Sequence, residues 1–432
     1  MQRLAIGLFS SSLLLGSMAV SAETLLDIYR DAMQHDPQVR AAEASWLASQ
    51  EALPQSRAGL LPQISARAYR NRSTDDPKHA TSTTGYTSGY GLELSQSLYN
   101  HQNYVRLRQA NALMAQATAS YEAEQQGLIL RVSSAYFNLL SAKDDLATAE
   151  ANKTAIGQQL RQTQQRFEVG LSAITDVHEA QAAFDAAVAG EIAAQNGVDI
   201  AREALREIVG RQPGQLARLG SEMPLISPEP ADIEAWVNTA LEQNLGLLAV
   251  DAGARQAAEG INLSRAGHYP TLGLSASYDH GDRLLQGMEG NRTTVGVQLS
   301  VPIYSGGLTT SQTREARARY NEANERLEQQ RRATVRDART AYMNVIAGTS
   351  QVQARRQALS SAQTAQEATE AGFEVGTRTM VDVLQAQSLR FLAERDYARA
   401  RYDYALAILQ LKAAAGSLAE ADVAELSSWL ER

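Results

Sequence analysis

The 432-residue chain reads as a mainly α protein with a small membrane β part, and as a unit written twice. Three observations carry that reading: two long stretches without proline, motifs that recur at a near-constant spacing, and one pair of alternating segments in each half. The ten prolines fall at 37, 54, 62, 77, 213, 224, 228, 230, 270 and 302, which leaves 78–212 and 303–432 with none. At ordinary usage of about 5%, each stretch would hold roughly six or seven. Proline inside a helix costs about 3 kcal/mol, so gaps of this length point to long uninterrupted helices.

The repeat is explicit. Arg166-Phe167-Glu168-Val169-Gly170 returns as Gly372-Phe373-Glu374-Val375-Gly376, and Asp176-Val177 as Asp382-Val383. Ala180-Gln181 matches Ala386-Gln387, and Ser56-Arg57-Ala58-Gly59 matches Ser264-Arg265-Ala266-Gly267. All are spaced by roughly 200 residues, with the small drift that loop insertions produce. Residues 23–212 and 231–432 are therefore two copies of one unit, joined by a proline-rich segment at 213–230. Ahead of them, residues 1–22 read as a secretory signal. Arg3 supplies the charge, 4–15 the apolar stretch, and Val20-Ser21-Ala22 the small-residue cleavage site before Glu23.

Each half repeats one order of elements. A helical segment (23–59, then 231–266) leads into strand-like alternation, at 62–72 and 86–98 and again at 270–280 and 292–302. The second hairpin is the clearer: Leu272, Leu274, Ala276 and Tyr278 face one way, and Thr271, Gly273, Ser275 and Ser277 the other. Long helices are expected next, over 101–166 and 305–371. In the second, Ala316, Tyr320, Ala323, Leu327, Thr334, Ala338, Ala341 and Val345 recur at steps that mark a coiled-coil seam. Gly170 and Gly376 are placed to end these rods. Return helices follow over 171–210 and 377–415.

Four strands cannot close a barrel, and an open sheet edge is not tolerated in lipid. A chain with one apolar and one polar sheet face must therefore associate before it can span a membrane. No later segment approaches 18 consecutive apolar residues, so any crossing falls to the strands. A net charge of -8 without a basic tract argues against nucleic acid as a partner. The absence of cysteine excludes disulfides, thiolate metal sites and cysteine catalysis. Six scattered histidines, with no phosphate-cradling loop and no nucleophile elbow, leave no basis for an enzyme, a metal site or a cofactor.

Four motifs then carry a resemblance. They are Leu60-Leu61-Pro62-Gln63; Val301-Pro302-Ile303-Tyr304-Ser305-Gly306-Gly307; the run from Arg166 through Val177; and the run from Val375 through Leu384. With the duplication, they make the chain resemble the outer-membrane factors of the TolC family over nearly its whole mature length. The resemblance implies a homotrimer, with a twelve-strand β-barrel continued by a twelve-helix α-barrel and a mixed equatorial region. It implies a Gram-negative outer membrane with a periplasmic extension, contact with outer-membrane lipid, a periplasmic adaptor (membrane fusion protein), and an inner-membrane transporter, either ABC-type or proton-driven. The implied task is passage of substrates in type I protein secretion or multidrug efflux, with secretion favoured here, through an entrance gated by helix untwisting.

Site residues follow position by position. On its residues alone, Asp382 reads first as an exposed acid favoured on a helix N-terminal turn. By resemblance it is the entrance-constriction aspartate, repeated by symmetry into a ring that favours cations. Gln385 stands where the family has a second aspartate, which implies a weaker selectivity. Arg378 matches the gate-latch arginine, with Thr175 and Asp176 as its partners. Phe373 replaces a tyrosine of that latch, so the closed state is expected to be held less firmly. Val169-Gly170-Leu171 and Val375-Gly376-Thr377 are turn chemistry by sequence and adaptor-docking tips by resemblance. A periplasmic coiled-coil scaffold or adaptor without a pore is the alternative; it explains the rods but not the amphipathic hairpins.

Overall fold

Asp36 and Pro37 separate the first two helices of the chain, α1 (Leu25–His35) and α2 (Pro37–Gln50). The Asp36 carboxylate caps the second by accepting from the Gln38 and Val39 amides. In this computed structural model the described residues are 22–76, 78–79, 81–220, 223–285 and 288–431. The expected export signal lies outside them except for Ala22. A short α3 (Ala52–Ala58) leads into a hairpin of β1 (Gln63–Asp75) and β2 (Thr83–Asn100), then the rod α4 (His101–Glu168) and its return α5 (Ile174–Val209). The join carries a two-residue strand, β3 (Arg218–Leu219). The order then repeats with α6 (Ile233–Gln243), α7 (Leu245–Arg265), β4 (Thr271–Leu285), β5 (Met288–Ser300), α8 (Leu308–Glu374) and α9 (Met380–Ala415). A coda of α10 (Glu420–Ser427) and β6 (Leu430–Glu431) follows.

The rods are 68 and 67 residues long, or about 100 Å each at ~1.5 Å per residue. Asn100 starts the first, its side chain accepting from the Gln102 amide at 3.0 Å. Gly306 and Gly307, at φ 62° and 83°, turn the chain out of β5 and into the second. Each rod packs antiparallel to its return helix, α4 with α5 and α8 with α9, while α9 also lies against α4. At the sheet end, where the return helices are absent, α2, α3 and α7 take their place beside α4 and α8. The buried stripe of α8 includes Thr313, Thr334, Ala338, Ala341, Val345 and Val352, small enough to let helices approach closely.

All four long strands form one antiparallel sheet in the order β1-β2-β4-β5. Register sets its two faces. Ile64, Leu94, Ala276 and Val295 lie in one row, and Ala66, Leu92, Tyr278 and Thr293 in the next of the same face. The opposite face carries Ser65, Glu93, Ser277 and Thr294, then Arg67, Gly91, Asp279 and Arg292. A bulge between Ser97 and Tyr99 turns Tyr99 onto the apolar face beside Leu272 and Leu299. Within the protomer, among the described residues, β1 and β5 each have one strand neighbour, so both edges of the sheet are open.

Midway down the rods sits a mixed collar. There α1, α10 and the paired β3 and β6 cover a core of Leu25, Ile28, Leu128, Val132, Tyr136, Leu205 and Leu409. Buried tyrosines pin the connecting segments to the rods. Tyr136 donates into the carbonyls of Glu23 and Ala217, at 3.0 and 2.8 Å from each. Tyr404 accepts from the Ile226 amide and lies 2.7 Å from the carbonyl of the same residue. Tyr402 donates to Asp144 at 2.6 Å, and burial raises its pKa.

Candidate functional site: the helix-turn tips and the entrance

Both rods end in the same way, far from the sheet. After α4, the Gly170 amide bonds the Phe167 carbonyl at 2.9 Å and the Leu171 amide bonds Arg166 at 2.7 Å. After α8, Gly376 bonds Phe373 at 3.1 Å and Thr377 bonds Gly372 at 2.8 Å. The two glycines hold φ of 76° and 80°, the left-handed conformation that closes this motif and that a side chain disfavours. Around them the chain leaves apolar side chains in the open: Val169, Leu171 and Val375 are 69%, 72% and 76% exposed. Water-facing apolar residues at paired tips have the chemistry of a contact surface.

Thr379 and Asp382 build the first turn of α9. The Asp382 carboxylate accepts from the Thr379 amide and hydroxyl, both at 2.8 Å, and the Asp382 amide returns a bond to the hydroxyl at 3.3 Å. This is a capping box. Those two bonds, and after them the Arg378 charge, hold the Asp382 pKa below the ordinary carboxylate value. Met380, Val383, Gln387 and Phe391 form the buried face of the helix, with Gln159 of α4 3.2 Å from the Met380 sulfur. Asp382 is half-buried and Gln385, three residues on, is exposed.

The corresponding turn of α5 has Ala173 in place of a hydroxyl. Asp176 compensates by accepting from Ser172 Oγ at 2.7 Å and from the Ala173 amide at 3.4 Å. Thr175 is exposed beside it. Arg378 is also exposed and, among the described residues of one protomer, makes no ion pair with Asp176. Phe373 is half-buried, with the Arg166 guanidinium 5.0 Å from its ring centre. The structure thus brings the expected residues to one end of the molecule without joining the latch inside a protomer. Sequence reading placed Arg166, Ser172 and Thr379 within its motifs but gave them no role of their own. Of these, Thr379 was legible, since Thr-x-x-Asp before an apolar run is a capping signature.

Two helical rods, each antiparallel to its own return helix, carry an amphipathic, open-edged sheet at one end and exposed apolar turns at the other, and this defines a class: the protomer of an export channel. The comparisons agree. The family described as outer membrane efflux protein matches residues 28–211 and 236–417, once in each repeat. Outer membrane protein TolC of Vibrio cholerae is 43% identical over 423 residues, covering 96% of this chain and 95% of that protein. Alkaline protease secretion protein AprF of Pseudomonas aeruginosa is 31% identical, covering 98% and 90%. In fold, the crystal structure of the outer membrane protein VceC from Vibrio cholerae superposes with a TM-score of 0.77 at 20% identity, over 91% of this chain and 96% of that one. The chain belongs to the outer membrane efflux protein family.

Proposed function

We propose that three copies of the chain form a channel-tunnel in the outer membrane, the exit duct of a tripartite export machine. The observation that carries this is the sheet: a lipid-compatible face, a polar face, and two open edges in the protomer. Open edges in hydrocarbon leave backbone groups unpaired, so β1 of one copy pairs with β5 of the next until the ring closes. Three protomers of four strands then give twelve strands. The helices continue the ring as a tunnel reaching about 100 Å into the periplasm.

Asp382 and Gln385 line the entrance in this assembly. Three Asp382 carboxylates, kept ionised by their capping bonds, favour cations. Arg378 reaches Thr175 and Asp176 across a helix boundary that exists only in the closed ring, which accords with their separation inside one protomer. Phe373 has no hydroxyl to add to that latch. The tips at Val169-Gly170-Leu171 and Val375-Gly376-Thr377 dock a periplasmic adaptor, which links the duct to an inner-membrane transporter of ABC or proton-driven type. Type I secretion is the favoured cargo route, in keeping with a 31% identical relative named for protease secretion.

Planar-bilayer conductance of detergent-purified protein, wild type beside Asp382→Ala, tests this together with native mass. A trimer with a small cation-selective current that loses selectivity in the variant supports channel and ring. A water-soluble, non-conducting species sinks the channel and restores the scaffold reading. A conducting trimer indifferent to Asp382 keeps the duct and removes the gate assignment.

A further inference from the structure

Where the apolar face of the sheet ends, its chemistry changes abruptly. Along β2, Tyr90 stands nine residues beyond Tyr99, about 31 Å along the strand and roughly 23 Å in depth at a tilt of about 40°. That is nearly the whole height of a barrel's lipid band (about 25 Å). The Tyr90 ring is 4.8 Å from that of His280, and both belong to the apolar face, at the row where an aromatic girdle is expected. Two and four residues nearer the hairpin tip, the same face presents Arg70 and Arg72. Register puts Arg70 opposite Ser88 and Arg72 opposite Tyr86. Both guanidiniums lean on the Tyr86 ring, at 5.7 and 6.0 Å from its centre.

The two faces treat arginine differently. On the polar face, Arg67 is paired with Asp279 and lies 3.8 Å from Glu93. On the outward face, among the described side chains, there is no carboxylate in any row, and neither Arg70 nor Arg72 makes an ion pair. Two like charges held side by side on one ring, with no counter-charge among the described side chains, are an incomplete site. The ring fixes their position, and the missing component is an anion.

We propose that Arg70 and Arg72, held by Tyr86, bind the phosphorylated headgroup of an outer-leaflet membrane lipid. This inference rests on the barrel reading, which places the hairpin tips on the side away from the periplasmic rods. A lipid is the occupant because the arginines stand on the same face as the apolar rows, just beyond the row of Tyr90 and His280: acyl chains cover Leu92, Leu94 and Val295, and the attached phosphate arrives at the level of the guanidiniums. Planar guanidinium groups suit phosphate oxygens, and Tyr86 restricts their motion before the lipid arrives.

Native mass spectrometry of the full-length detergent-purified protein tests it, with bound bisphosphorylated lipid A counted against the same lipid stripped of phosphate. The wild type should retain the phosphorylated form about 30-fold better, two arginines each contributing a near-surface charge contact. The variant carrying Arg70→Gln and Arg72→Gln should lose that preference while conducting as the wild type does. Equal retention of both lipids by a conducting wild type overturns the proposal and leaves the barrel intact. So does displacement of the phosphorylated lipid by millimolar inorganic phosphate, which would mark a free-anion site. A wild type that carries no current overturns the barrel and this inference with it. Should the double variant fail to insert, the comparison of the two lipids on the wild type still decides the matter.

Discussion

A single charge placed on either face of β5 separates a barrel strand from any other use of this sheet. Val295 shares a row with Ile64, Leu94 and Ala276, and is 69% exposed in the protomer. It lies five residues from Ser300, the last residue of β5. Five residues are about 17 Å along a strand, and about 13 Å in depth at a tilt of roughly 40°. Val295 therefore sits near the middle of a lipid band about 25 Å tall. Arginine there should cost about 2–4 kcal/mol per copy, three times over in a trimer. Its neighbour Thr294 points to the polar face with Ser65, Glu93 and Ser277, where the same charge meets water and costs close to nothing. Val295→Arg and Thr294→Arg would be compared by refolding from urea into vesicles, scoring the inserted trimer. The expected outcome is a large loss for Val295→Arg and near-wild-type insertion for Thr294→Arg. Equal losses would refute the assignment of faces, and with it the reason for closing the sheet.

Further outcomes follow from the collar and the tips. Tyr136→Phe strips the hydroxyl from two buried carbonyls and should cost about 1–3 kcal/mol, read as a lower unfolding temperature, whereas Tyr104→Phe at an exposed position should leave it unchanged. Gly376→Ala meets no atom within 4 Å, so its penalty is conformational, about 1–2 kcal/mol for a left-handed residue. Adaptor capture in pull-down should weaken while global unfolding stays in place. Asp382→Asn keeps an oxygen for the Thr379 bonds and removes only the charge, so bilayer recordings should show lost cation selectivity with α9 intact. The Asp382 pKa is depressed in the folded chain, so its contribution is present above the ordinary value of 3.8 and is lost only as pH falls through the lower folded one. Reversal potentials should accordingly match at pH 5 and pH 7.5, and a selectivity already decaying at pH 5 would show that repulsion among the three carboxylates of the ring outweighs the capping bonds.

Much of this was legible because the relevant signals are local. Proline's incompatibility with helix interiors marked the rods; period-2 alternation marked the strands; the Val-Gly echo marked both turns, where glycine is needed for a positive φ. The mainly helical, membrane-associated class and its export role could be reached from these signals and the resemblance they carry. Other features depend on which distant segments meet. The pairing of β2 with β4 joins two hairpins from opposite halves of the chain. The pairing of β3 with β6, and the reach of Tyr136 and Tyr404 to the joining segments, involve partners dozens to hundreds of residues away. No local period encodes such contacts.

The tips show the same division within a few residues. Composition marks Asp382 and Asp176 as acids at helix starts. The Thr-x-x-Asp spacing already marks Thr379 as the partner of Asp382, but only the folded turn shows that Ser172 holds Asp176 and that Arg166 rather than a hydroxyl attends Phe373. On the sheet, alternation distinguishes two faces but cannot say which arginine finds a carboxylate. Register decides that, pairing Arg67 with Asp279 and leaving Arg70 and Arg72 together over Tyr86. The physical reason is range. Helix, strand and turn propensities are set by a residue and its near neighbours, whereas charge pairing and burial are set by whatever the fold carries to within a few ångströms.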